Sequence, residues 1–123
     1  MHRKLSPAAV ELKRLRELRE KARVMGNCLD AGIPVYDEEA FKHEYLTVKS
    51  ELEKERKRME GYIRLIDEPK LALMARIRFI DGLSAEDAAR AFGLGHSAYH
   101  NRFTLMMERL DRLMEAKDGA SLA

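Results

Sequence analysis

Between Ala8 and Met25 the apolar residues recur at intervals of three and four: Ala8, Leu12, Leu15, Leu18, Ala22 and Met25. One face of an α-helix repeats at that spacing, so the pattern predicts a first helix over 7–25. Ser6-Pro7 is its start signal, a serine cap followed by the residue best suited to the first helical position, and Gly26-Asn27 its end. Residues 26–36, which contain Gly26, Gly32 and Pro34, read as a loop, with Cys28, Leu29, Ile33 and Val35 tucked against neighbouring helices.

Asp37 opens a second, longer helix, with Glu38 and Glu39 in the first turn where the helix dipole favours acids. Phe41, Tyr45, Val48, Leu52, Met59, Tyr62 and Ile66 then alternate by four and three, interrupted at Glu55. This is a heptad seam. A helix over 37–66 would be about 45 Å long, more than the first helix can cover. An antiparallel hairpin of the two, completed by a second copy of the chain, would bury the seam. Glu55 is either an ion-pairing register device in it or a simple local defect.

Asp67-Glu68-Pro69 is the next start signal. A helix over 69–81 presents Leu73, Ile77 and Ile80, supplemented by Met74 and Phe79, with Arg76 and Arg78 off that face, open to solvent or to a phosphate. From Asp81 to Phe103 the pattern changes to two short helices and a sharp turn. Ser84 caps the first, with Asp87 at the capping-box position. Gly93 stands where a helix ends in a left-handed residue. The second begins at about 95–97 and runs to about Ala116. Ala88, Ala89 and Phe92 share a face of the first, Leu94 plugs the turn, and Tyr99 and Phe103 stand i, i+4 on the second. The small Ala89 marks the closest approach of the two. That is the packing logic of a helix-turn-helix.

The register resembles a particular subtype. Nine residues after Gly93 stands Arg102, and the apolar residue is Phe103. With Arg78-Phe79-Ile80-Asp81-Gly82-Leu83-Ser84 ahead of it, the run resembles region four of bacterial sigma factors and, more closely, phage and prophage late-transcription regulators of the ArpU and RinA type. The resemblance covers roughly the last 50 residues. It implies a helical N-terminal part followed by a DNA-binding module. Three positions depart from the family: Gly95 where a serine or asparagine usually caps the second helix, Ala85 where tryptophan is frequent, and Ala88 in place of a larger aliphatic. The last two imply a thinner core between the helices.

The expected fold is therefore all-α: a long, coiled-coil-like helical hairpin over 1–66, a three-helix module of sigma-region-four type over 67–116, and a flexible tail over 117–123. Charged residues make up 36% of the chain, with no tryptophan and 3 prolines, which suits an extended helical protein better than a β-sandwich or barrel. The lone Cys28 has no partner for an internal disulfide and reads as a small buried hydrophobe in a reducing, cytoplasmic setting. No apolar run approaches the ~20 residues of a membrane span, and the first 21 residues lack the apolar stretch of a signal peptide.

Net charge is only +2, and the second half is neutral, with 8 bases and 8 acids over 68–123. The acids Glu108, Asp111, Glu115 and Asp118 lie late, so the earlier, more basic end is the one expected to face DNA. Lys13, Arg14, Arg16, Arg19, Lys21 and Arg23, interspersed with acids, form either a solvated face of the first helix or a second DNA-contacting surface.

With Tyr99, Phe103, Met106, Leu110 and Leu113 turned inward, His96, Ser97, His100, Asn101 and Thr104 are left outward near the start of the last helix, the end that enters the major groove. Asn reads adenine bidentately, Ser and Thr serve phosphate or base, and His donates to either. Arg90 joins this set. Arg102 is open between phosphate contact and, as the resemblance implies, an ion pair with Asp87. The broad apolar end formed by Met106, Met107, Leu110, Leu113 and Met114 is expected to pack on the N-terminal helices or on a second subunit.

No glycine-rich phosphate loop, no carboxylate pair with a cleft and no metal-ligand spacing is present; His96 and His100 stand i, i+4 without an evident third ligand. The chain thus reads as a non-enzyme without cofactor or metal. The expected function is that of a sequence-specific DNA-binding transcriptional regulator of phage or prophage type. Its expected partners are double-stranded DNA, a second copy through the N-terminal helices, and RNA polymerase. The alternative is a phage assembly or packaging protein, or an RNA-polymerase adaptor, in which the helix-turn-helix is structural.

Overall fold

The computed structural model describes the backbone of residues 5–122 and the side chains of residues 5–117. Within that range every regular element is a helix and there is no strand. Helix α1 (Pro7–Asp30) begins as its sequence dictates, the Ser6 hydroxyl accepting from the Ala9 N–H at 3.3 Å. It does not stop at Gly26-Asn27. Tyr45 lies so close to Gly26 that a Cβ there would stand 3.1 Å from the phenolic oxygen, so the glycine serves a close approach inside the helix. The helix ends instead at Asp30, where the Gly32 and Ile33 N–H groups bond back to the Leu29 and Cys28 carbonyls. The loop is therefore residues 31–37, and Ile33, expected to be tucked in, is 53% exposed.

Helix α2 (Glu38–Ile63) is capped by Asp37, whose carboxylate accepts from the Ala40 N–H at 3.0 Å. It ends earlier than its seam suggested, and Ile66 reaches the core from the turn that follows. α1 and α2 pair antiparallel, as their ion pairs show: Arg58–Glu11 at 3.0 Å, Arg14–Glu55 at 3.8 Å and Lys21–Glu44 at 2.8 Å.

Helix α3 (Pro69–Ala75) starts on the Glu68 carboxylate, which accepts from the Lys70 and Leu71 N–H groups at 3.1 and 2.9 Å. These bonds hold its pKa below the ordinary carboxylate value. α3 continues into a single π turn, Arg76–Ile80, closed by the Asp81 N–H on the Arg76 carbonyl at 3.0 Å. The extra residue shifts the helical phase by one. Leu71, Met74 and Ala75 are buried, but Phe79, not Arg78, takes the next inward place beside Ile80. The expected face led by Leu73 is thereby corrected: Leu73 is 51% exposed.

Helix α4 (Ala85–Phe92) and helix α5 (His96–Leu122) complete the chain. α5 runs past the expected end at Ala116, and at that point the Lys117 ammonium lies 5.3 Å from the centre of the Tyr62 ring, anchoring α5 to α2. Of the segment expected as a flexible tail, 117–122 is thus helical in backbone, and Ala123 lies outside the described residues.

One hydrophobic cluster joins all five helices. Ala8 and Leu15 of α1, Met59 and Tyr62 of α2, Met74 and Phe79 of the third helical segment, Ala88 of α4, and Tyr99, Met106, Leu110 and Met114 of α5 are among its buried members. The boundary placed at residues 66–67 is therefore crossed by a shared core. It is also crossed by a hydrogen bond: Asp111 of α5 accepts the Ala8 N–H at 2.8 Å, an acid satisfying the free donor at the start of α1. Met25 and Val48 are buried apart from this cluster, farther along the α1–α2 pair.

Candidate nucleic-acid interface

The local sequence of α4 sets its two ends. The Ser84 hydroxyl accepts from the Asp87 N–H at 3.1 Å. At the other end Gly93 adopts φ +64°, the left-handed conformation that side-chain-bearing residues avoid, and the Leu94 N–H returns to the Ala89 carbonyl. Three residues, Gly93, Leu94 and Gly95, then separate α4 from α5.

Tyr99 and Phe103 stack with ring centres 5.8 Å apart and form the inner face of α5 at this point. The Tyr99 ring is 6% exposed and its hydroxyl has no hydrogen-bond partner among the described residues. Burial pushes its pKa above the ordinary tyrosine value. The Arg78 guanidinium lies 5.2 Å from the Phe103 ring centre and donates to the Leu83 carbonyl at 2.7 Å. Arg78 is thus part of the scaffold beneath the site, a role its position in the sequence did not reveal, because it depends on the π turn.

His96, Ser97, His100, Asn101 and Thr104 are all exposed, on one face of the first turns of α5. Between α4 and α5 runs a groove of about 630 Å³, lined by Ala85, Ala89, Leu94, Tyr99 and Phe103, with Glu86, Arg90, His96 and His100 also on its walls. The small residues at 85 and 89 leave this space open, as their size implies. Ser97, Asn101 and Thr104 lie outside its lining, further around the helix.

Arg90 and Arg102 stand apart from the rest. Arg90 is exposed but clasped by Glu86 at 2.8 Å and Asp87 at 3.5 Å, so its charge is locally offset. That pairing also occupies Asp87, the acid expected to hold Arg102. Arg102 is half-buried, and its charge acts on Glu68 at the start of α3 instead. Among the described residues no three His, Cys, Asp or Glu side chains converge as a metal-binding set, and no helix is long and apolar enough to cross a membrane.

One further feature connects this region to the N-terminal helices, and another lies between α1 and α2 themselves. Arg19 of α1 donates to the Phe79 and Ile80 carbonyls at 3.1 and 3.3 Å. Its guanidinium lies against Gly82, where a Cβ would come within 2.6 Å of it; φ there is +74°. Nearer the start of α1, Glu11 is 6% exposed and sits between Glu55 and Arg58 of α2. Burial, reinforced by Glu55, raises its pKa from 4.5 to about 7. Glu55 moves the other way: burial works against its charge, but the hydrogen bond to Glu11 and the charges of Arg14 and Arg58 outweigh it. Glu11 occupies the inward position between Ala8 and Leu15, a spacing visible in the sequence and masked by its charge.

The chain matches no family model, no curated protein and no solved structure.

Proposed function

We propose that the chain is a sequence-specific, double-stranded-DNA-binding transcriptional regulator of phage or prophage type, in which α4, the turn at Gly93 and α5 act as a helix-turn-helix. The observation that carries this reading is the cluster His96, Ser97, His100, Asn101 and Thr104: a polar, exposed face at the N-terminal end of a helix held against a short capped partner. An α-helix fits the major groove of B-DNA, and the residues at its leading end reach base edges. Asn101 presents the amide that pairs bidentately with adenine, His100 a donor beside it, and Ser97 and Thr104 hydroxyls for phosphate or base. Arg90 and Arg102 act at the margin, since each already has a carboxylate nearby. The protein acts without catalysis, cofactor or metal. Copies associate through the N-terminal hairpin, where Ile33 and Tyr36 of the connecting loop and Leu46 of α2 are exposed apolar side chains, and RNA polymerase is the further partner.

That same apolar end favours a second reading, an assembly or RNA-polymerase adaptor whose helix-turn-helix is structural. Fluorescence-anisotropy titration against promoter fragments at low and physiological salt separates the two. Saturable binding that weakens steeply with salt and differs between fragments supports the regulator; absence of binding at low salt rejects it in favour of the adaptor.

A further inference from the structure

A second, smaller hollow lies between α1 and the junction of the π turn with α4. It has a volume of about 270 Å³ and is lined by Leu12, Arg16, Arg19, Arg78, Gly82, Leu83, Ser84 and Ala85. Three of these residues are arginines and none is an acid. Arg14, Arg23, Arg56, Arg58 and Arg90 each hold a carboxylate within 4 Å; Arg16, Arg19 and Arg78 form no ion pair among the described residues, and unlike the other unpaired arginines, Arg64, Arg76, Arg102, Arg109 and Arg112, they line one cleft together. The nearest acid acting on Arg19 is Asp81, and Arg56 opposes it there.

Two of the three guanidinium groups are fixed in place. Arg19 is held by the Phe79 and Ile80 carbonyls and the flat approach to Gly82. Arg78 is held by the Leu83 carbonyl and the Phe103 ring, and its Nε–H is buried without a partner. Arg16 is exposed at the rim. Ser84 and Ala85 bring the start of α4 to the cleft wall. Preorganised arginine forks without a counter-charge match a tetrahedral oxyanion, and arginine presents paired donors to phosphate.

We infer that this cleft between α1 and the start of α4 binds a phosphate group. Ala85 lines both the cleft and the groove between α4 and α5, so the phosphate site adjoins the face assigned to DNA. Resting on the DNA-binding reading, the phosphate belongs to the DNA backbone: α1 contributes a clamp that fixes the position of the duplex while α5 reads bases. A free phosphorylated small molecule presents the same chemistry and is distinguished by experiment.

The test uses the full chain and the substitutions Arg16→Gln and Arg16→Lys, at a residue that makes no ion pair and lies at the rim, so that folding is preserved. Anisotropy titrations on duplex DNA are run over a salt series, and pyrophosphate is titrated against the protein while its phosphorus NMR line is followed. The expected result is a salt slope shallower by about 0.9 for Arg16→Gln, restored by Arg16→Lys. Duplex binding with an unchanged slope in Arg16→Gln would overturn the clamp and leave the helix-turn-helix reading intact. No duplex binding by the wild type, but pyrophosphate line broadening lost in Arg16→Gln, would keep the phosphate site and reject DNA as its source. Neither duplex binding nor line broadening would overturn both.

Discussion

Replacing Glu11 with Gln is expected to stabilise the protein at neutral and alkaline pH. Folded Glu11 holds its proton to about pH 7, against 4.5 for an unperturbed glutamate carboxyl. The folded state therefore binds a proton that the unfolded chain has released, and stability falls as pH rises through that window. At about 1.4 kcal/mol per pH unit the effect is bounded at roughly 3.5 kcal/mol. Relaxation around Arg58, whose side chain is 39% exposed, lowers the expected value to about 2 kcal/mol. Glu55 acts in a separate range: its pKa is lowered, so the stability it contributes is lost as pH falls below the ordinary carboxylate value. A glutamine keeps the shape of protonated Glu11, with an N–H for Glu55 and an oxygen for Arg58. Urea unfolding followed by circular dichroism should show wild type losing stability between pH 5 and pH 8, and Glu11→Gln losing much less. The variant should exceed wild type by about 1–2 kcal/mol at pH 8 and match it near pH 5. A variant less stable than wild type at pH 8 would mean that the Glu11 charge is net stabilising through Arg58, and would refute burial as the dominant effect.

Gly82→Ala forces a left-handed φ on alanine and drives a methyl into the Arg19 guanidinium, so a loss of about 2 kcal/mol is expected; in an Arg19→Met background the same change should cost visibly less, read as a double-mutant cycle. Tyr99→Phe removes a buried hydroxyl that has no partner, and thermal denaturation should find it neutral or up to about 1 kcal/mol more stable. His100→Ala combined with Asn101→Ala should weaken DNA binding by about 1–3 kcal/mol and relax preference among promoter fragments, with an unchanged melting temperature; affinity left intact would show that this face does not read the duplex.

The starts of the helices were legible because each is set by local chemistry: Ser6, Asp37, Glu68 and Ser84 all cap as their side chains dictate. The turn at Gly93 was legible for the same reason. What the sequence concealed depends on contacts between distant segments. Gly26 reads as a helix end, yet Tyr45 packs on it from α2. Asp87 reads as the partner of Arg102, yet Arg90 on its own helix is nearer. Leu73 reads as a core residue on a regular repeat, and the phase change at Arg76–Ile80 turns it outward. For the site, the exposed polar set on α5 followed from periodicity, whereas the arginine cleft did not, because Arg16, Arg19 and Arg78 come together only when α1 lies across the junction before α4.

The π turn at Arg76–Ile80 also bears on which length changes the chain can absorb. Removing one residue from a regular α-helix rotates everything beyond it by about 100°, which would carry a core face to the surface. A π turn already contains one residue more than the helical repeat requires, and such turns sit as single insertions within α-helices. Loss of one residue there would convert it to ordinary α-helix and leave Phe79 and Ile80 facing the core. A single-residue deletion scan of the chain should therefore find folded variants at this turn and lose them in the middle of α1 and α2.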